Sequence, residues 1–72
     1  MGTVKIGDVY TITDLFRDLK QVTVTDICGK QIQLRTKACF FYWDWIDDFC
    51  KNIVSNDGID EFVVELKNLL KN

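Results

Sequence analysis

Across Gln21–Thr36, apolar and polar side chains alternate on either side of the segment Asp26-Ile27-Cys28-Gly29-Lys30. Strict alternation belongs to a pleated strand with one dry and one wet face. Asp favours the first position of a turn, and Gly29 can take a positive φ without a Cβ clash. The segment therefore predicts a hairpin with a three-residue loop, a type I turn followed by a left-handed residue. That loop sets Asp26 opposite Lys30, Val24 opposite Ile32 and Val22 opposite Leu34. These four apolar residues share one face, and Thr23, Thr25, Gln31, Gln33 and Arg35 share the other. A slip of one residue would oppose Val24 to Gln33, so turn chemistry and hydrophobic pattern agree. A ribbon with one dry face needs a cover, and that requirement shapes the reading of everything around it.

Upstream, Val4, Ile6, Tyr10 and Ile12 share a parity, which predicts a first strand interrupted by a bulge at Gly7-Asp8. Thr13 is the expected N-cap of a short helical turn that gathers Leu15, Phe16 and Leu19 on one face. Downstream, Asp44, Asp47, Asp48, Lys51, Asn52 and Ser55 recur at helical spacing, with Ile46, Phe49, Cys50 and Ile53 opposite them. Ser55-Asn56-Asp57-Gly58 reads as punctuation. Asp57 is then the expected N-cap of a last helix carrying Ile59, Phe62, Val63, Leu66, Leu69 and Leu70 on one face, with Asp60 and Glu61 early and Lys67 and Lys71 late. The expected fold is α+β: a three-stranded antiparallel sheet (about 4–12, 21–27 and 30–36), a helical turn (14–20), and two C-terminal helices (about 40–55 and 58–70) packed on one face. A small barrel wrapping the three strands is the alternative.

With 72 residues, the chain has room for one domain, 1–72, and a thin stability margin. Its apolar fraction of 47% fits a globular chain and argues against disorder. Cys28, Cys39 and Cys50 are an odd number with no CxxC pair, and no signal peptide is recognisable, so reduced thiols and a cytoplasmic setting are expected. No apolar run reaches the roughly 20 residues of a membrane span.

Catalysis has little to stand on. There is no histidine, so a thiol or hydroxyl nucleophile lacks its commonest base. Cys28-Gly29-Lys30 is a turn and not a phosphate loop. Asn56-Asp57-Gly58-Ile59-Asp60-Glu61 echoes a calcium loop but lacks the alternating ligands and the distal Glu. No enzyme activity, cofactor or metal site is expected. Charge is uneven: residues 1–37 hold six basic and four acidic side chains (+2), residues 38–72 three and seven (−4), giving the overall −2. An acidic second half disfavours phosphate binding there.

Six of the nine aromatic residues fall between 40 and 49: Phe40, Phe41, Tyr42, Trp43, Trp45 and Phe49. At about 100° per residue a helix through this run cannot turn all six inward. Tyr42 falls in the core arc, Trp43 and Trp45 flank the polar stripe, and Phe40 and Phe41 land within it. Either the chain stays extended to about Tyr42 with both Phe residues against the sheet edge, or the Phe rings are exposed beside the carboxylates. The second arrangement is an aromatic patch rimmed by acids, the composition of a docking surface. A carboxylate stripe on its own is more often a solvated helix face.

The reading that results is a non-catalytic protein-binding module, an inhibitor or adaptor of a larger macromolecule. Small chains of this kind are encoded by phages and other mobile elements, and one beginning at Met1 is expected to be free-standing. Phe40, Phe41, Asp44, Trp45, Asp47 and Asp48 are its expected contacts, for a partner with a basic surface. The rival is nucleic-acid binding through the wet hairpin face, using Lys30, Arg35 and Lys37. That face lacks aromatics for base stacking. A third reading is self-association, which would relieve a thin core.

Overall fold

The computed structural model describes residues 4–71. Its elements are β1 (Asp8–Thr13), β2 (Leu19–Cys28), β3 (Gln31–Thr36), β4 (Phe41–Trp45), α1 (Ile46–Lys51), β5 (Ile53–Ile59) and α2 (Glu61–Lys71). The fold is α+β, but the sheet has five antiparallel strands in the order β4-β3-β2-β1-β5, not three. Four strands run as a meander, and the fifth returns to pair with the first.

The hairpin faces are as expected, but its register is not. Val24 pairs with Leu34 and Val22 with Thr36, two residues away from the expected pairing. The loop is only Gly29-Lys30, with φ 60° at Gly29. A bulge between Val24 and Asp26 takes up the difference. A shift of two residues preserves side-chain parity, so Val22, Val24, Ile32 and Leu34 still share the dry face. Beyond the bulge, Ile27 opposite Ile32 joins them there.

The segment 40–55 is not one helix. Phe41–Trp45 is a strand, only Ile46–Lys51 is helical, and Ile53–Ile59 is strand again. Aromatic side chains favour the pleated, half-buried surface of a sheet over a helix, and that preference wins across β4. Its exposure alternates with period two: Phe41, Trp43 and Trp45 outward, Tyr42 and Asp44 inward. The polar periodicity that suggested a long helix joins residues from two strands and one short helix.

β5 was hidden by its composition. Ser55, Asn56, Asp57 and Gly58 are turn formers, yet Ser55, Asn56 and Gly58 pair with β1, and Asp57 is bulged out at the register shift between Val9 and Tyr10. Polar bonds fix this exposed edge strand. The Asp57 carboxylate accepts from Thr11 Oγ1, from Gln21 Nε2 at 3.0 Å and from Ser55 Oγ at 2.8 Å. These bonds hold the Asp57 carboxyl below its usual range, the Thr11 bond contributing most.

The first strand begins at Asp8, not at residue 4, because a turn occupies Ile6-Gly7. Residues 14–18 are not helical. Asp14 Oδ1 accepts from Phe16 N at 2.8 Å and Asp18 N at 3.0 Å, and Arg17 takes φ 62°. The expected cap at Thr13 is thus displaced by an Asp-centred turn one residue later.

The two helices lie on opposite faces of the sheet, and not together on one. α1 closes the inner face. Phe49 is fully buried among Tyr10, Ile12, Val22, Val24, Ile32 and Leu34, with its ring edge-on to Tyr10 at 5.5 Å. α2 lies on the outer face, bound to Arg35 through Asp60 at 2.8 Å and to Asp26 through Lys67 at 3.7 Å. Its N-cap is Asp60, not Asp57: Asp60 Oδ1 accepts from Phe62 N at 3.1 Å and Val63 N at 3.4 Å. No helix among the described residues is long and apolar enough to cross a membrane.

Candidate functional site

The expected contact residues do not form one helix surface, because β4 sends alternate side chains to opposite faces. Phe41, Trp43 and Trp45 form a row on the outer face beside Gln31, Gln33 and Arg35 of β3. Their exposures are 56%, 45% and 55%. Phe40 is exposed in the turn before β4, where its N–H donates to Thr36 Oγ1. Asp44 is on the inner side of β4, and Asp47 and Asp48 are exposed in the first turn of α1. Both expectations for Phe40 and Phe41 therefore hold in part: the chain is extended there, and the rings are exposed.

Asp44 and Asp48 instead meet residues 14–16, which lie in the Asp14-centred turn and not in the expected helical turn. Together with Asp14, Leu15 and Phe16 from the β1–β2 loop, Tyr42 and Trp43 from β4, Lys51 from α1 and Asn52 at its C-cap, they line an open groove of about 670 Å³. Leu15 and Phe16 are 97% and 82% exposed. Two large apolar side chains are thus held out into water by a loop that Asp14 pins through its own hydrogen bonds. Lys20 Nζ stacks on the Tyr42 ring in the groove, 4.7 Å from its centroid, a cation–π contact. Three carboxylates (Asp14, Asp44, Asp48) and two ammonium groups (Lys20, Lys51) leave the groove lining acidic by one. Leu15 and Phe16 were missed because their spacing fits a helical face; the better signal was Asp14 ahead of a segment too short to be a helix.

The basic residues of the rival reading are separated. Lys30 is in the β2–β3 turn, while Arg35 and Lys37 are at the other end of β3. Arg35 and Lys37 line a second, smaller pocket of about 460 Å³ with Thr23 and Asp60. Arg35 is paired with Asp60 there, and Lys37 acts electrostatically on the nearby Asp57. Two carboxylates thus offset the two cations that a phosphate would need. Cys28 and Cys39 are exposed and Cys50 is half-buried, all as free thiols.

No family model, curated protein or solved structure matches this chain.

Proposed function

We propose that this chain is a non-catalytic protein-binding module, an inhibitor or adaptor, that grips its partner in the groove between the β1–β2 loop and β4–α1. The observation that carries this reading is the near-complete exposure of Leu15 and Phe16 on a hydrogen-bonded loop. A pre-ordered loop loses little conformational entropy on binding, so the apolar area of these side chains goes to affinity. Asp14, Asp44 and Asp48 supply a polar rim that favours a partner segment with Lys or Arg next to apolar side chains. Asp47, outside the groove lining, adds to the same field.

Affinity capture from lysate with the intact chain and two double variants tests this. Leu15→Ser with Phe16→Ser, and Asp44→Asn with Asp48→Asn, should each lose the captured protein, and the wild-type capture should weaken with salt. A partner retained by both variants would refute the groove as the docking site.

A further inference from the structure

The outer face carries a second apolar surface, on the other side of the sheet from the groove. α2 lies there as an amphipathic helix whose apolar arc is largely uncovered: Phe62 is 64% exposed, Leu66 43%, Leu69 72% and Leu70 79%. The direction of that arc follows from helix geometry. Val64 faces the β1 side, where a Cβ added at Gly7 would collide with its Cγ2. Residues two apart on a helix point about 200° apart, so Phe62 looks the opposite way, toward β3 and β4. Leu66 and Leu69 share that side by their i+4 and i+7 spacing. Across β3 from this arc stands the outward row of Phe41, Trp43 and Trp45, over a floor of Gln31 and Gln33. The result is a trough with one apolar wall from α2 and one aromatic wall from β4.

We infer that a second copy of this chain fills the trough, its α2 lying between the first copy's α2 and β4 row. Four observations favour a second copy. The two walls are complementary to each other and carried by one chain, so a two-fold axis along the trough gives each copy the same contact; this is an isologous interface. The area is sufficient: the exposed parts of the six wall side chains amount to roughly 700 Å² per copy, close to the size of a standard specific interface. Charge does not oppose the contact, since the wall residues and the glutamine floor are neutral and the acidic groove opens on the opposite face. An 11-residue helix is also too short to be stable unless it packs, and among the described residues α2 buries only Val63.

The two tryptophans of the chain both belong to the aromatic wall, so they report on the contact. Sedimentation of the full chain over a concentration series should show the mass rising to twice 8.4 kDa, with tryptophan emission shifting to shorter wavelength and quenching by iodide falling in step. Leu69→Glu on one wall and Trp45→Lys on the other should each return the chain to one copy. Both positions are exposed, so the strand signal in circular dichroism should persist. A chain that stays at one copy at every concentration overturns the inference, as does a dimer whose tryptophans remain as open to iodide as in the single chain. Trp43 borders both sites, but the capture test varies only Leu15, Phe16, Asp44 and Asp48, none of which belongs to the trough, so both outcomes leave the groove reading untouched.

Discussion

Tyr10 is a polar group placed in the core, and its surroundings dictate how it can titrate. Its ring packs edge-on to Phe49 and is nearly excluded from solvent. The phenol O–H donates to Asp8 Oδ2 at 2.9 Å, and the same carboxylate oxygen accepts from Lys5 N at 2.9 Å. Burial, then the Asp8 hydrogen bond and its negative charge, push the phenol from 10.0 up to about 12. A raised pKa means that the folded state favours the protonated phenol. The resulting stability is complete below pH 10 and is lost as pH rises to about 12. Alkaline titration followed by tyrosinate absorbance should therefore show one of the two tyrosines ionising late, together with loss of the fold. Asp8→Asn should bring that ionisation to lower pH but not to the free-tyrosine value, since burial remains the larger cause. A phenol titrating at its ordinary pKa in the folded protein would show that Tyr10 is not held this way.

At the scale of elements, α2 depends on one residue. Asp60 caps the helix through Oδ1, pairs with Arg35 through Oδ2, and donates its backbone N–H to Gly7 O at 2.7 Å. Replacing it with Ala should cost about 1–2 kcal/mol, combining a lost N-cap with a largely buried ion pair. Asp60→Asn keeps the cap and removes the charge, so it should recover most of that loss; chemical denaturation of both variants gives the comparison. Equal losses would mean that the ion pair, not the cap, holds the helix. The sequence located α2 well because its apolar arc is long and periodic, yet it put the cap at Asp57. Both residues are aspartates ahead of the same arc, and only the strand pairing of β5 removes Asp57 from the choice. β4 and β5 were less legible for related reasons. The carboxylates of β4 and α1 happen to fall at helical spacing, and β5 is built from turn formers held by side-chain bonds instead of burial. The groove was legible only in its acidic half, since Leu15 and Phe16 gain their meaning from an Asp14 turn that mimics a helix start.

For the molecule as a whole, the question is what holds five strands and two helices together in 72 residues. The inner core is one cluster, and among the described residues Phe49 is its only fully buried contribution from a helix. Without it, α1 would present Ile46 and Cys50, both partly exposed, to the dry face of the sheet. Truncating a buried Phe to Ala typically costs about 3–5 kcal/mol. A chain of this length holds roughly 4–11 kcal/mol in total, so Phe49→Ala should remove a large share of its stability and can abolish it near body temperature. Because α1 bridges the edge strands β4 and β5, the loss should spread across the sheet as one transition. Phe49→Leu keeps most of the volume and should lose markedly less. Thermal unfolding followed separately by tryptophan emission, which reports β4, and by far-ultraviolet dichroism, which reports the whole sheet, checks the point. Coincident transitions, shifted together in Phe49→Ala, are the expected result. If β4 melts well before the rest, α1 does not tie the two edges together, and the groove beside it would lack the rigid wall that its proposed role requires.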